Sequence, residues 1–313
     1  MVLAKVSTLE MGRTQWLRER QNGIGGSDSS VILGFNSWKS PFQLYLEKTG
    51  EHVEEINNEF IYWGNVLEDV VAKEFELRTG KKVRRRNQMF RHPEHSFMFA
   101  NIDRDVVGEK ALLECKTTNA FNSEAWEGDE VPAAYICQLQ HYMAVLGYEK
   151  AYIAVLIGGN KFVWKEVERD DEFIEIMIQH EKAFWENHVL AGVPPQIDGS
   201  PSATELLNKL YPTDNGTAIM IDSETEKLIE AIESIKAEEK QLETQRKAYE
   251  NQLKMTLEEA SEGHSQHFKV TYKAQTRNTV DSKRLKLEEP AVYERFVKPT
   301  TTRVLKIKQL EAK

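Results

Sequence analysis

Cysteine is almost missing from this chain. Cys115 and Cys137 are the two present in 313 residues, too few for a four-cysteine metal or iron–sulfur site. A pair of cysteines suits a reducing cytoplasm. No apolar run is long enough to span a membrane. The N-terminus carries no signal-peptide pattern, so a cytoplasmic protein is expected. The eight histidines lack metal-ligand spacing. His92 and His95 flank Pro93 and read as loop residues. No internal repeat is visible.

What is present is a globular composition, 40% hydrophobic and 29% charged, sufficient for one large domain with an appendage. The net charge of −9 is unevenly spread. Residues His264 to Lys313 hold 12 Lys/Arg against 5 Asp/Glu, a net of +7, which leaves −16 on the rest. A basic end on an acidic body can bind an anionic polymer, although a solvated face more often explains such asymmetry.

Residues 1–200 read as one mixed α/β domain. Trp16 to Arg20 falls on an early helix. The turn Gly25-Gly26-Ser27-Asp28 opens a helix over Ser29–Leu33, capped by Ser27 or Asp28. Phe42–Thr49 and Glu59–Thr79 are helices stopped by Gly50 and Gly80. A strand candidate follows near 82–91, then a strand pair over 98–116. Ala133–Leu146 is a helix closed by Gly147. Ala151–Ile157 and Lys161–Val167 form a hairpin, and Asp171–Ala191 a further helix. Residues 201–222 read as a linker rich in Pro, Ser, Gly and Asp. In 223–263, Ser223 and Glu226 suggest a capping box. Leu228, Ile232, Ile235, Leu242, Tyr249 and Leu253 then recur at three- and four-residue steps, a heptad seam interrupted by Glu239 and Arg246, with Gly263 as its stop; it fits an intramolecular helical hairpin, an oligomer contact or an arm laid on the body. Residues 264–313 read as a small hairpin over His267–Val280 and a basic tail.

The stretch FANIDRDVVGEKALLECKTT carries the chemistry. It reads as two apolar strands around a turn at Gly108-Glu109-Lys110. Glu114 and Lys116 share one strand face, and pairing across the turn sets Asp103 opposite them. Two carboxylates on a rigid edge can hold a hard divalent cation, and a neighbouring lysine can position or deprotonate a water. Such a pattern is weak alone. It gains weight because Ala111, Leu112, Leu113 and Cys115 surround the charges, and buried charge requires a partner or a metal. Cys115 reads as a buried spacer, its thiol on the opposite face and its carbonyl a further metal ligand.

Other features align with these. Glu68, mid-helix, can add a carboxylate beside a metal site. Gln138 and Tyr142 share a helix face. Arg20, after Trp16, can grip a terminal phosphate bidentately, beside the glycine turn with Ser27, where backbone N–H groups can approach closely. Taken singly, each is more simply a solvated helix acid, a polar helix side, or a surface arginine at a plain turn.

Taken together, the segments IGGSDSSVILGFNSWKSPFQLYLEKTGE, GNVLEDVVAKEF, HPEHSFMFANIDRDV, LLECKTT and ICQLQHYMAVLG resemble the YqaJ-like viral recombinase family, lambda exonuclease-like members of the PD-(D/E)xK nucleases. The resemblance covers roughly Trp16 to Asp198. It implies a restriction-endonuclease-like α/β core, a mixed central sheet flanked by helices, to which the residue pattern beyond 222 adds a C-terminal coiled-coil helix and small β appendage. It implies a 5′-to-3′ double-strand DNA exonuclease that leaves 3′ single-stranded tails, of phage or prophage origin, working with a single-strand annealing protein (RecT-like). Related exonucleases are ring-shaped trimers, so a homo-oligomer is expected.

Carried over by position, Asp103 and Glu114 would ligate magnesium, or manganese, which suits the same oxygens, assisted by the Cys115 carbonyl. Lys116 would activate the attacking water, with Glu68 the helix acid near the metal and Gln138 the glutamine beside it. Arg20 would engage the 5′-phosphate, with Ser27 in the adjacent turn. Arg104-Asp105 departs from the pattern, since a small residue such as glycine often follows this aspartate. The chain beyond about residue 222 has no lambda exonuclease counterpart. Rival readings are a restriction-like endonuclease or junction resolvase of the same fold, and a non-catalytic DNA clamp or scaffold. A Cas4-like nuclease would need cluster cysteines that this chain lacks.

Overall fold

Two apolar runs, Ala111–Thr118 and Lys150–Ile157, lie parallel in the middle of a five-stranded sheet. In the computed structural model, which describes residues 5–51 and 59–310, the chain divides into two units, Met1–Leu210 and Tyr211–Lys313. The first unit begins with β1 (Lys5–Ser7), α1 (Arg13–Gln21), β2 (Ile24–Gly25), α2 (Gly26–Ile32), α3 (Pro41–Thr49) and α4 (Glu59–Thr79). Five strands follow: β3 (Val83–Arg85), β4 (Gln88–Arg91), β5 (Met98–Ala100), β6 (Arg104–Val106) and β7 (Ala111–Thr118). It closes with α5 (Ala133–Leu146), β8 (Lys150–Ile157), β9 (Lys161–Glu168), α6 (Asp171–Phe184) and α7 (Pro201–Leu210).

The larger sheet has the order β3-β6-β7-β8-β9, antiparallel except for the β7–β8 pair. A parallel pair needs a long crossover, and α5 supplies it. The smaller sheet has the order β1-β4-β5-β2. Alternation along β7 sorts its side chains to two cores. Leu112 packs with Leu139, Met143 and Ile153 on the α5 face. Ala111 and Leu113 pack with Val71, Ala72 and Phe75 of α4 on the other. A third core joins Ile24, Val31, Leu44 and Leu206, tying α7 to the α2–α3 region. The expected mixed sheet flanked by helices is therefore the architecture found.

Several boundaries differ from the sequence expectation. The strand near 82–91 is two strands in different sheets, separated where Gln88 N bonds Arg86 O in a tight turn at 2.8 Å. The strand leading into Asp103 likewise breaks between β5 and β6, which belong to different sheets. The helix expected over Ser29–Leu33 begins at Gly26, and Asp28 reaches back from its first turn to bond Gly25 N at 3.0 Å. The helix from Asp171 passes into a π-helical turn over Trp185–Leu190.

The first ten residues of the expected linker form α7. Ser200, just before them, and Pro201 are start signals instead: Ser200 Oγ accepts from Ala203 N at 3.2 Å, and Pro201 opens the helix.

The second unit holds α8 (Ser223–Leu257), β10 (Glu262–His264), β11 (Lys269–Thr271), α9 (Ser282–Glu288) and α10 (Pro290–Phe296). The cap of α8 is Asp222, which accepts from Thr225 N at 2.8 Å, so Ser223 is already helical. Gly263 is not the helix stop. It lies in β10 paired with Val270, and a Cβ there would come within 2.8 Å of Leu257 Cδ2. The hairpin thus starts before His267, and the tail contains two short helices.

Candidate active site

β6 and β7 pair at Arg104↔Leu113 and Asp105↔Leu112. Past that register a side chain takes over the edge of β7: Asp103 Oδ2 accepts from Cys115 N at 2.8 Å. The N–H and carbonyl of a strand residue face the same edge, so the Cys115 carbonyl is turned toward Asp103. The Cys115 side chain goes to the α4 core, and burial pushes its thiol far up, which removes it from nucleophilic chemistry.

Glu114 and Lys116 project to the α5 face. Glu114 is buried. Its Oε1 accepts from Lys116 Nζ at 2.8 Å and from Gln138 Nε2 at 2.7 Å. Its Oε2 is buried with no hydrogen-bond partner among the described residues. Gln138 Nε2 also lies 3.2 Å from Tyr142 Oη, and Lys116 Nζ sits 5.3 Å from the centre of the Tyr135 ring. One helix, α5, therefore supplies Gln138 to Glu114 and Tyr135 to Lys116.

Electrostatics follow from this crowding. Burial, then the charges of Glu114 and Glu68, push the Asp103 carboxyl well above the usual carboxylate range. Burial works against the Lys116 ammonium, but Glu114 and Asp103 outweigh it and raise its pKa. Lys116 is thus a firmly charged donor. Among the described residues no three His, Cys, Asp or Glu side chains converge as a metal cluster. The fit to a cation rests instead on the all-oxygen set of Asp103, Glu114 and the Cys115 carbonyl, with the bare Glu114 Oε2 as its clearest mark. That set suits a hard divalent ion that keeps several waters.

Glu68 arrives from α4, on the opposite face. Its Oε1 accepts from Arg85 Nη2 at 2.7 Å and from Arg104 Nη1. Arg104 is buried, bonds Asp69 through Nη2, and donates to the Asp103 carbonyl at 2.7 Å. Glu68 acts on Asp103 through its field, and no hydrogen bond joins them. The arginine that breaks the small-residue pattern after Asp103 is thus the clamp between α4 and the edge that carries Asp103.

Arg20 and Ser27 lie beside the same helix α5. Arg20 Nη2 donates to Ser27 Oγ at 3.1 Å and to Asp28 Oδ1 at 3.0 Å, and its guanidinium stands 5.1 Å from the Trp16 ring centre. With Gly25, Gly26, Asn101 and Tyr142 they line a cavity of about 60 Å³. Gly26 sets the approach: a Cβ there would lie 2.6 Å from Tyr142 Cε1 and 3.0 Å from Gln138 Cγ. Tyr142 joins the two places, lining this cavity while bonding the glutamine that holds Glu114.

Sequence reasoning missed Lys48. It is buried on α3, donates to Asp28 Oδ2 at 2.7 Å and to the Arg20 carbonyl at 2.8 Å, and so fixes the cavity residue Arg20 and the carboxylate that pairs with it. Nothing in a helix reading KT-G marks such a lysine. Burial alone would raise the Asp28 carboxyl, but Lys48, Arg20 and Lys39 together drive it far below the usual range.

The chain is similar to several known proteins. A model of the YqaJ-like viral recombinase domain matches residues 15–149. The chain is 50% identical over 313 residues to the uncharacterized protein YqaJ of Bacillus subtilis (strain 168), spanning 99% of this chain and 98% of that protein. It is 25% identical over 158 residues to the uncharacterized protein R354 of Acanthamoeba polyphaga mimivirus, spanning 46% of this chain and 28% of that protein. Among solved structures it is similar to an alkaline exonuclease (LHK-Exo) from Laribacter hongkongensis, with a TM-score of 0.49, 19% identity, and coverage of 63% of this chain and 100% of that one.

Proposed function

Because the chain belongs to the YqaJ-like viral recombinase family, we propose that it is a metal-dependent 5′-to-3′ exonuclease of double-stranded DNA. It leaves 3′ single-stranded tails for recombination by strand annealing. The observation that carries this reading is the Glu114 carboxylate, held on one oxygen by Lys116 and Gln138 and left bare on the other.

Asp103, Glu114 and the Cys115 carbonyl would hold the cation, magnesium or manganese. When bound, it supplies Lewis-acid polarisation of the scissile phosphate and a more acidic water. The chain's own residues do the rest. Lys116, charged, donates to the water or to the charge that builds on the phosphate. Gln138 keeps the Glu114 carboxylate in one orientation, and the Arg104–Arg85 pair keeps Glu68 close without letting it collapse onto Asp103. Arg20 and Ser27, at a cavity joined to the site through Tyr142, receive the 5′-phosphate of the end. That link would favour the strand that ends in the 5′-phosphate.

The reading also expects a single-strand annealing protein as partner, a homo-oligomer that retains DNA between cuts, and work in the cytoplasm of a bacterial host. Among the described residues no helix is long and apolar enough to cross a membrane.

Linear and covalently closed circular duplexes, incubated with magnesium and with EDTA, test the reading. Loss of the linear form alone, and in magnesium alone, supports it. Cutting of the circle transfers the assignment to an endonuclease of the same fold. Bound but intact DNA in every arm transfers it to a clamp. Arg20→Ala is expected to slow 5′-phosphorylated ends more than 5′-hydroxyl ends. Equal slowing of both would remove Arg20 from phosphate recognition.

A further inference from the structure

Helix α8 runs for 35 residues, about 52 Å, and none of its residues is buried. Such a helix gains most of its stability from packing of an apolar face. The face exists: Leu228, Ile232, Ile235, Leu242, Tyr249 and Leu253 follow the alternating steps of a coiled-coil seam. All six are exposed, Leu242 by 65% and Tyr249 by 70%.

Charge selects what can cover it. Glu239 and Arg246 occupy the two interrupted seam positions. In a parallel, in-register pair of identical helices each would meet its own copy, giving two like-charge layers in the core. Reversing one helix removes both clashes. If Leu228 of one chain is set against Leu253 of the other, Ile232 meets Tyr249, Ile235 meets Arg246, and Glu239 meets Leu242. Every apolar seam residue is then used, and Glu239 and Arg246 of opposite chains stand about one helical turn apart, within reach of each other. The whole helix agrees. Residues 223–239 hold 6 acids and 2 bases, a net of −4, and residues 240–257 hold 4 bases and 2 acids, a net of +2. Antiparallel pairing lays each acidic half on a basic half. The macrodipole favours the same overall gradient, but it acts at the ends and does not account for the two charges at mid-seam. Arg246 already pairs with Glu250 on its own helix at 2.9 Å, which leaves its remaining N–H groups for a neighbour.

We infer that α8 is the contact by which a second copy of this chain binds, as an antiparallel two-stranded coiled coil. The surface joins two nuclease units without drawing on the catalytic residues, and it stands whether or not the nuclease reading does.

Cysteine cross-linking of the full-length chain tests it. Leu228→Cys and Leu253→Cys variants are oxidised separately and as an equal mixture, with the unsubstituted chain controlling for Cys115 and Cys137. The expected result is a disulfide-linked dimer in the mixture and none in either variant alone, because Leu228 and its own copy stand about 37 Å apart in the antiparallel pair. Cross-linking of each variant with itself would overturn the orientation. No cross-link in any arm would overturn the second copy as occupant. Charge reversal supplies an independent reading. Glu239→Arg and Arg246→Glu should each lower the mixture's cross-linking rate about ten-fold, and the double reversal should restore it. Single reversals without effect would contradict the pairing.

Discussion

Gln138 and Glu114 are 24 residues apart in the chain and 2.7 Å apart in the fold, with Gln138 Nε2 donating to Glu114 Oε1. The contact joins helix α5 to strand β7, so the helix dictates which way Glu114 presents its free oxygen. Gln138→Leu removes this donor while keeping similar bulk. It is expected to weaken magnesium activation about 10- to 100-fold, the range for groups that orient a metal-binding side chain. A magnesium titration of nuclease rate measures this, and an unchanged half-activation concentration would show that Glu114 orients itself.

Gly26 sits where α2 touches α5. A methyl group there meets the Tyr142 ring at 2.6 Å, so Gly26→Ala must push Tyr142 and Gln138 aside. Overpacking of this kind costs about 1–3 kcal/mol. Denaturant unfolding should show that loss, together with a reduced rate on 5′-phosphorylated ends. Full stability and full rate would mean that α2 and α5 move apart freely.

Asp28 is the counter-ion of Lys48 and Arg20. Asp28→Asn leaves a buried lysine uncompensated and is expected to cost about 3–5 kcal/mol at pH 7. Because the folded pKa of Asp28 is depressed, its contribution is fully present above the unfolded value near ~3.9 and is lost as pH falls toward the folded value. The gap between wild type and variant should therefore narrow below about pH 4. Urea midpoints at pH 7 and pH 3 decide this, and a gap independent of pH would contradict it.

His141, on α5 one turn from Gln138, behaves in the opposite sense. It is fully buried, with Nδ1 2.8 Å from Glu181 Oε1 and Nε2 2.8 Å from the Phe99 carbonyl. The charged imidazolium ring can donate to both neighbours at once. Burial opposes that charge, but Glu181 outweighs it and raises the pKa. Its stabilisation is complete below the unfolded value near ~6.5 and disappears as pH rises through the raised folded value. Wild type and His141→Gln should thus differ most near pH 6 and converge on the alkaline side.

Much of the site could be read from local pattern. Glu114 and Lys116 are two apart in an apolar run, and strand alternation alone puts them on one face. Gly50 and Gly147 ended their helices as expected because a left-handed residue is needed there. What sequence did not reveal depends on contacts between distant segments. Lys48 is 20 residues from Asp28 and looks like a surface lysine until α3 packs on α2. Arg104 looked like a departure from pattern, yet it bridges β6 to Glu68, 36 residues away. The break between β3 and β4 follows from two sheets competing for one run, which no propensity within 82–91 expresses. Pro201 and Ser202 failed for a different reason, since the same residue types start helices and make linkers.

The most direct test follows a linear duplex labelled at its 5′ or its 3′ terminus, in magnesium, with the wild-type chain and with Lys116→Ala. The account predicts early release of the 5′ label as mononucleotide, late release of the 3′ label, and a rate lower by about two to four decades in the variant with DNA binding retained. Early release of the 3′ label, or a variant that digests at the wild-type rate, would contradict it.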